Sequence, residues 1–375
     1  MIRFPIGIVA AVCLRAVSFA AQADPAEELL KQAIGLHQAG NVEGAIDAYR
    51  KYLAIRPDSV PALSNLGAVY SRAGRYPDAA AQYRQALKIE PGNALVEMNL
   101  GLAYYKSGQI VLAAETFEKV HASVPNEPQP TMLLADCWLS LGKDRAVVDL
   151  MAPLADRHPD DLAIAYLFGT ALARDQQIAR AQTIINRIIR NGDTAEARLL
   201  LGTAELQAQD YAAALADLKK ATELNPALPD VYSYFGQALL RTGDPQAATE
   251  AFRKALAANP NDFGANLQLA VLLKEENKTE EARACLRRAL LSRPSDPSAR
   301  YQVAALDLQE GHAEEARAGL EELVKETPDF SAAHVALATV YYRLKRKPEG
   351  DRERAIVQKL NAQIQAKQQQ GIDIK

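Results

Sequence analysis

Along most of the chain, apolar residues recur three and four apart, the spacing that puts them on one face of an α-helix. Residues 60–93 show the pattern most clearly. Leu63, Leu66, Gly67 and Tyr70 share a face of one short helix, and Ala79, Tyr83 and Ala86 share a face of a second. Gly74 lies between them as a helix stop, and Pro91 closes the stretch because proline cannot sit in a helix interior. Two helices this short cannot bury such faces by themselves, so the unit needs neighbours of its own kind.

The neighbours occur at a period of 34 residues. Gly67, Tyr83 and Pro91 become Gly101, Phe117 and Pro125 one period on, and Ala33, Tyr49 and Pro57 one period back. The frame continues to Ala135, Met151 and Pro159, loses one residue in the next unit, and resumes at Gly202, Leu218 and Pro226. Nine full units span residues 26–330, and the eighth position of every one is Gly or Ala. A small residue there lets the second helix of a unit approach the first. A small residue at the twentieth position does the same from the other side (Ala45, Ala79, Ala113, Val147, Ala181, Ala214, Ala248, Ala282, Ala316). Large apolar side chains at the twenty-fourth position fill the room so left.

This combination of positions resembles the tetratricopeptide repeat, with a small residue at eight, Ala at twenty, an aromatic at twenty-four and Pro at thirty-two. The resemblance implies an all-α, right-handed superhelical solenoid of helix-turn-helix repeats with a C-terminal capping helix. Residues 24–330 are expected to form nine repeats. Ser331–Leu344 would form a tenth first helix, and Asp351–Gln369, with Ile356, Leu360 and Ile364 four apart, a cap within a 331–375 terminal segment. Repeat five is one residue short and ends in Asn191-Gly192-Asp193 where the others carry proline, so a bend or boundary is expected near 191–194. Repeat four carries Pro153 inside its second helix.

The first 23 residues stand outside this frame. A short positive start, an uncharged apolar run from Phe4 to Leu14 and Ala21-Gln22-Ala23 before Asp24 read as a bacterial secretory signal peptide, cleaved near Ala23. A periplasmic or secreted location is therefore expected, with retention of the segment as an anchor left open. Its removal takes away Arg3 and Arg15, and moves the net charge from −3 to −5. A mildly acidic chain is a poor match to nucleic acid, which needs a concentrated basic surface.

Candidate chemistry is sparse. The five histidines stand singly at 37, 121, 158, 312 and 334, with no second histidine or carboxylate expected at metal-ligand spacing. Phosphate-binding, zinc-protease and nucleophile-elbow motifs are missing from the sequence. No catalytic residue, cofactor or metal is implied. Glu-Glu pairs such as Glu275-Glu276 and Glu314-Glu315 read as solvated helix faces, and Cys137 and Cys285, four repeats apart, as small core residues.

In the family that the sequence resembles, positions two, five, nine, twelve and thirteen of each first helix line a concave groove where extended peptides bind. The equivalent apolar residues here are Met98, Leu102, Tyr105, Met132, Leu139, Tyr166, Leu199, Leu206 and Leu240. Position thirteen adds Arg72, Lys106, Arg174 and Arg241. Two readings stay open for the apolar stripe: a surface for a partner, or packing between adjacent first helices. The basic residues could orient a carboxylate-bearing partner or simply complement helix C-termini. The resemblance thus implies a non-catalytic protein- or peptide-binding scaffold. The alternative is a structural accessory subunit of a membrane-associated envelope complex, for polysaccharide or secretion.

Overall fold

The structure is a computed structural model that describes residues 24–190 and 192–369. The segment 1–23, read above as an export signal, and the last residues, 370–375, lie outside the described residues. The described residues form twenty α-helices and no strand, so the chain is an all-α solenoid of helix pairs. It divides into two compact units, one through Val96 and one from Glu97 onward.

The first unit holds α1 (Pro25–Gln38), α2 (Val42–Ile55), α3 (Val60–Arg72) and α4 (Tyr76–Ile89). Asp24 and Asn41 cap α1 and α2 by accepting backbone N–H bonds from Ala26 and Gly44. Each pair is joined by a residue in the left-handed region, Gly40 at φ 76° and Gly74 at φ 73°. The core is built on the expected positions: Ala45, Tyr49, Ala79 and Tyr83 are almost fully buried. A Cβ on Gly67 would lie 2.6 Å from the Tyr83 ring, which is why only the smallest residue fits that crossing.

The second unit runs from α5 (Ala94–Lys106), whose first turn carries the division, and α6 (Ile110–Ser123). Then follow α7 (Pro128–Ser140), α8 (Asp144–Arg157), α9 (Leu162–Arg174), α10 (Ile178–Arg190), α11 (Ala195–Gln207) and α12 (Tyr211–Leu224). The array continues through α13 (Val231–Arg241), α14 (Pro245–Ala258), α15 (Phe263–Glu275), α16 (Thr279–Ser292), α17 (Pro297–Glu310) and α18 (Ala313–Glu326). It ends in α19 (Ser331–Arg343) and α20 (Lys347–Gln369). α20 starts four residues earlier than the sequence suggests, at Lys347, with Pro348 tolerated in its first turn. Pro153 sits inside an unbroken α8.

Besides the contacts within each pair, first helices touch first helices: α7 with α9, α9 with α11, α11 with α13, and α13 with α15. This places the first helices on the inner side of the curved second unit. The junction at 192–194, where a bend is expected, lies inside this unit, with Gly192 at φ 129°. At the turn inside a pair, left-handed residues recur even where glycine is missing, at Gln176, Gln209, Asn277 and Lys345. One further left-handed residue is of another kind. Asp230, at φ 62°, precedes α13 and makes that helix start two residues after its repeat begins.

Candidate functional site

The predicted groove residues do not share one fate. Arg72 belongs to the first unit and is exposed. Met98 and Leu102 are half-buried on α5, Met132 on α7, Leu206 on α11 and Leu240 on α13. Leu139 and Leu199 are corrections to the groove assignment. At 6% and 1% exposure they belong to the core, Leu139 among Val147, Met151 and Leu172, and Leu199 among Ala214, Leu218 and Val231. Both belong to cores shared by the second helix of their own pair, α8 or α12, and the next first helix, α9 or α13. Lys106 and Arg241 are exposed, each with its charge near an aromatic ring, Tyr105 at 6.0 Å and Tyr211 at 5.9 Å from the centroid.

Arg174 behaves differently from the exposed bases. Its Nε stands 2.9 Å from Asp144 Oδ1, and its Nη2 donates to the Leu139 carbonyl at 2.8 Å. Arg293, from the turn after α16, donates to the carbonyls of Ser140 at 2.8 Å and Leu139 at 3.3 Å, while its guanidinium lies 4.1 Å from the Phe263 ring centroid. Two guanidinium groups thus satisfy the last carbonyls of α7, where the helix dipole is negative. Arg293 comes from a repeat far along the chain. Gly142 lies against its guanidinium, and Gly108 likewise lies against Asn261. Turns four repeats apart therefore meet and draw the inner face together.

What gathers on that inner face is polar and aromatic. The Tyr105 hydroxyl donates to Asp136 Oδ2 at 2.5 Å, joining α5 to α7. Tyr166 on α9 packs on the cores on both sides of it. Its hydroxyl is pushed well above the ordinary phenol range by desolvation, with Asp230, Tyr234 and Asp136 adding to the effect. Tyr234 is raised for the same reason, partly offset by Arg174. Asp262 caps α15 through the Ala265 N–H at 2.7 Å and accepts from Ser233 Oγ at 3.0 Å. Asp136, Asp230 and Asp262 all have raised carboxyl pKa values, with desolvation first, and for Asp230 the neighbouring Asp262 and Asp136 next.

The sequence reading missed Asp136, Asp230, Asp262, Tyr234 and Arg293. Asp136 occupies position nine, already a groove position, and its charge among Leu102, Thr170 and Thr203 at that place was the available signal. Asp230 holds position two of its repeat. The approach of Arg293 to α7 has no local signature.

One histidine has carboxylate neighbours after all. Ligand atoms of Asp307, Glu310 and His312 lie within 4.8 Å of one another. The Arg283 guanidinium bonds both Asp307, at 2.8 Å, and Glu310, and so stands where a cation would. Among the described residues no helix is long and apolar enough to cross a membrane.

Tetratricopeptide-repeat family models match residues 71–137 and 239–306, residues 36–74 and 202–243, and residues 304–362. The chain belongs to the tetratricopeptide repeat family. Repeat five, the shortened one, falls between the matched stretches. In the crystal structure of the APC/C hetero-tetramer Cut9-Hcn1, one chain is similar at 13% identity and a TM-score of 0.54, over 90% of this chain and 88% of that one. A tetratricopeptide repeat protein from Parabacteroides merdae is similar at 16% identity and a TM-score of 0.57, over 66% of this chain and 98% of its own. At such identities the likeness concerns the fold alone. No curated protein matches the chain in sequence. Proteins of this repeat family commonly bind other proteins, and no enzyme family is indicated.

Proposed function

We propose that this protein is a non-catalytic scaffold that holds an extended segment of a partner protein on the inner face of its second unit. The observation that carries the reading is a row of half-buried side chains from four first helices: Tyr166 packs on the core that Met132 flanks and on the one that Tyr234 flanks, and Tyr105 is tied to α7 through Asp136. Tyrosine and methionine supply large contact area and adapt to varied partners. In a monomer they are left partly wet, and a bound segment would complete their burial. The apolar run and Ala-x-Ala site of residues 1–23 support an exported setting for this scaffold, periplasmic or secreted.

The test is capture from the native host. Met132→Ser with Tyr166→Ser is expected to lose a partner that the unaltered protein retains, with helicity kept and melting lowered only slightly. Each fully buried side chain of this kind is worth about 1.5–3 kcal/mol before association costs. Capture unchanged by the pair would place the partner on another face. Loss of the fold would assign both side chains to the core.

A further inference from the structure

We propose that the segment bound on this face is basic: an extended peptide whose lysine or arginine side chains reach Asp136 and Asp230 between Tyr105, Tyr166 and Tyr234. The inference rests on the scaffold reading above and adds the chemistry of the partner.

The charge balance of the inner face carries it. Among the described residues no lysine, arginine or histidine forms an ion pair with Asp136, Asp230 or Asp262, and Asp262 and Asp136 lie close enough to Asp230 to add to desolvation in raising its carboxyl to about 7. Two cations do stand nearby, and both have other work. Arg174 is bound to Asp144 and the Leu139 carbonyl, and Arg293 is bound to the carbonyls of Leu139 and Ser140. Asp230 thus holds its proton part of the time at neutral pH, and an incoming cation would favour its charged form and gain more from the carboxylates in this partly desolvated place than it would at the open surface. An incoming carboxylate would meet the aspartates with no free guanidinium to receive it. The basic residues of position thirteen do not change this, because Lys106 and Arg241 are exposed and Arg174 is already engaged.

Two more features fit the same partner. The tyrosine rings offer faces to an ammonium or guanidinium group, and Lys106 already stands 6.0 Å from the centroid of Tyr105. The acidic chain as a whole, at −3, would also speed the approach of a basic segment.

The experiment is a selection of random linear peptides, displayed on phage, against the full chain. The selected peptides are then synthesised, and their affinity is measured by fluorescence anisotropy at low and high salt. The proposal expects enrichment in lysine and arginine, and affinity that falls with salt. Asp136→Asn with Asp230→Asn should weaken binding about tenfold or more, whereas Glu115→Gln with Glu118→Gln, exposed on α6, should not. Should the Asp136/Asp230 pair fail to fold, Tyr166→Ser locates the site and the salt dependence of the unaltered protein decides the charge class. Acidic or neutral peptides that are lost on Tyr166→Ser would overturn the basic partner and leave the scaffold reading standing. Peptides indifferent to Tyr166→Ser and to the aspartate pair would overturn both.

Discussion

Gly236 and Phe252 give the sharpest test of how each repeat is packed. Gly236 lies in the middle of α13, where alanine is normally better by about 1 kcal/mol because glycine loses more backbone entropy. Yet a Cβ at Gly236 would stand 2.6, 2.8 and 3.0 Å from three carbons of the Phe252 ring. Ordinary carbon contacts are about 3.5–4.0 Å, so the ring would have to retreat by about 1 Å. Phe252 is fully buried among Ala248, Ala255 and Leu269 and has nowhere to go. Overpacking of this kind costs about 1–3 kcal/mol. Gly236→Ala should therefore destabilise by up to about 2 kcal/mol once the helix gain is subtracted. The two positions are not tied by residue type alone: Ala270 stands with Leu286 and Ala304 with Leu320, but Ala33 stands with the buried Tyr49, and a Cβ on Gly202 would lie 2.5 Å from Leu218. Phe252→Ala costs stability alone, but with the ring removed Gly236→Ala should become stabilising by about 1 kcal/mol. The cycle is read by urea unfolding together with hydrogen exchange of α13 and α14, since a repeat array need not unfold as one unit. The reasoning is refuted if Gly236→Ala has the same sign in both backgrounds.

Three further outcomes are expected. Glu205 has a buried Oε2 without a hydrogen-bond partner, and desolvation beside Asp217 raises its carboxyl to about 8. A carboxyl raised in the folded state stabilises the protein while it is protonated, so stability should decline between about pH 4.5 and 8, and Glu205→Gln should flatten that decline and raise the melting temperature at neutral pH. Arg293→Met should speed amide exchange at the end of α7 and around 140–143 while leaving α3 and α4 unchanged; equal exchange would show that the guanidinium does not hold that turn. Protein isolated from its host should begin near Asp24, and recovery with Met1 intact would contradict export.

The repeat frame was legible because each of its positions reports a contact one helix away. Ala79 and Tyr83, or Ala248 and Phe252, are buried where the period of 34 places them. The groove was legible only in part. The spacing identified the stripe that holds Tyr105, Met132 and Tyr166, but the same spacing included Leu139 and Leu199, which the neighbouring helices cover. A stripe on a helix does not say how closely the next helix packs. The acidic centre was hidden for a different reason. It depends on Asp230 in a left-handed turn and on turns four repeats apart coming together through Arg293, a contact between residues 153 apart in the chain. A period fixes neighbours one repeat away. It is silent on the curvature that brings distant repeats face to face.

The central claim is that a partner segment lies on the inner face of the second unit. Photo-reactive benzoylphenylalanine placed at Tyr166, and separately at the exposed Glu118 of α6, tests it directly in the native host. The account predicts a cross-linked partner from position 166, lost when Asp136 and Asp230 are changed to asparagine, and none from position 118. A partner captured from 118 and not from 166 would contradict it.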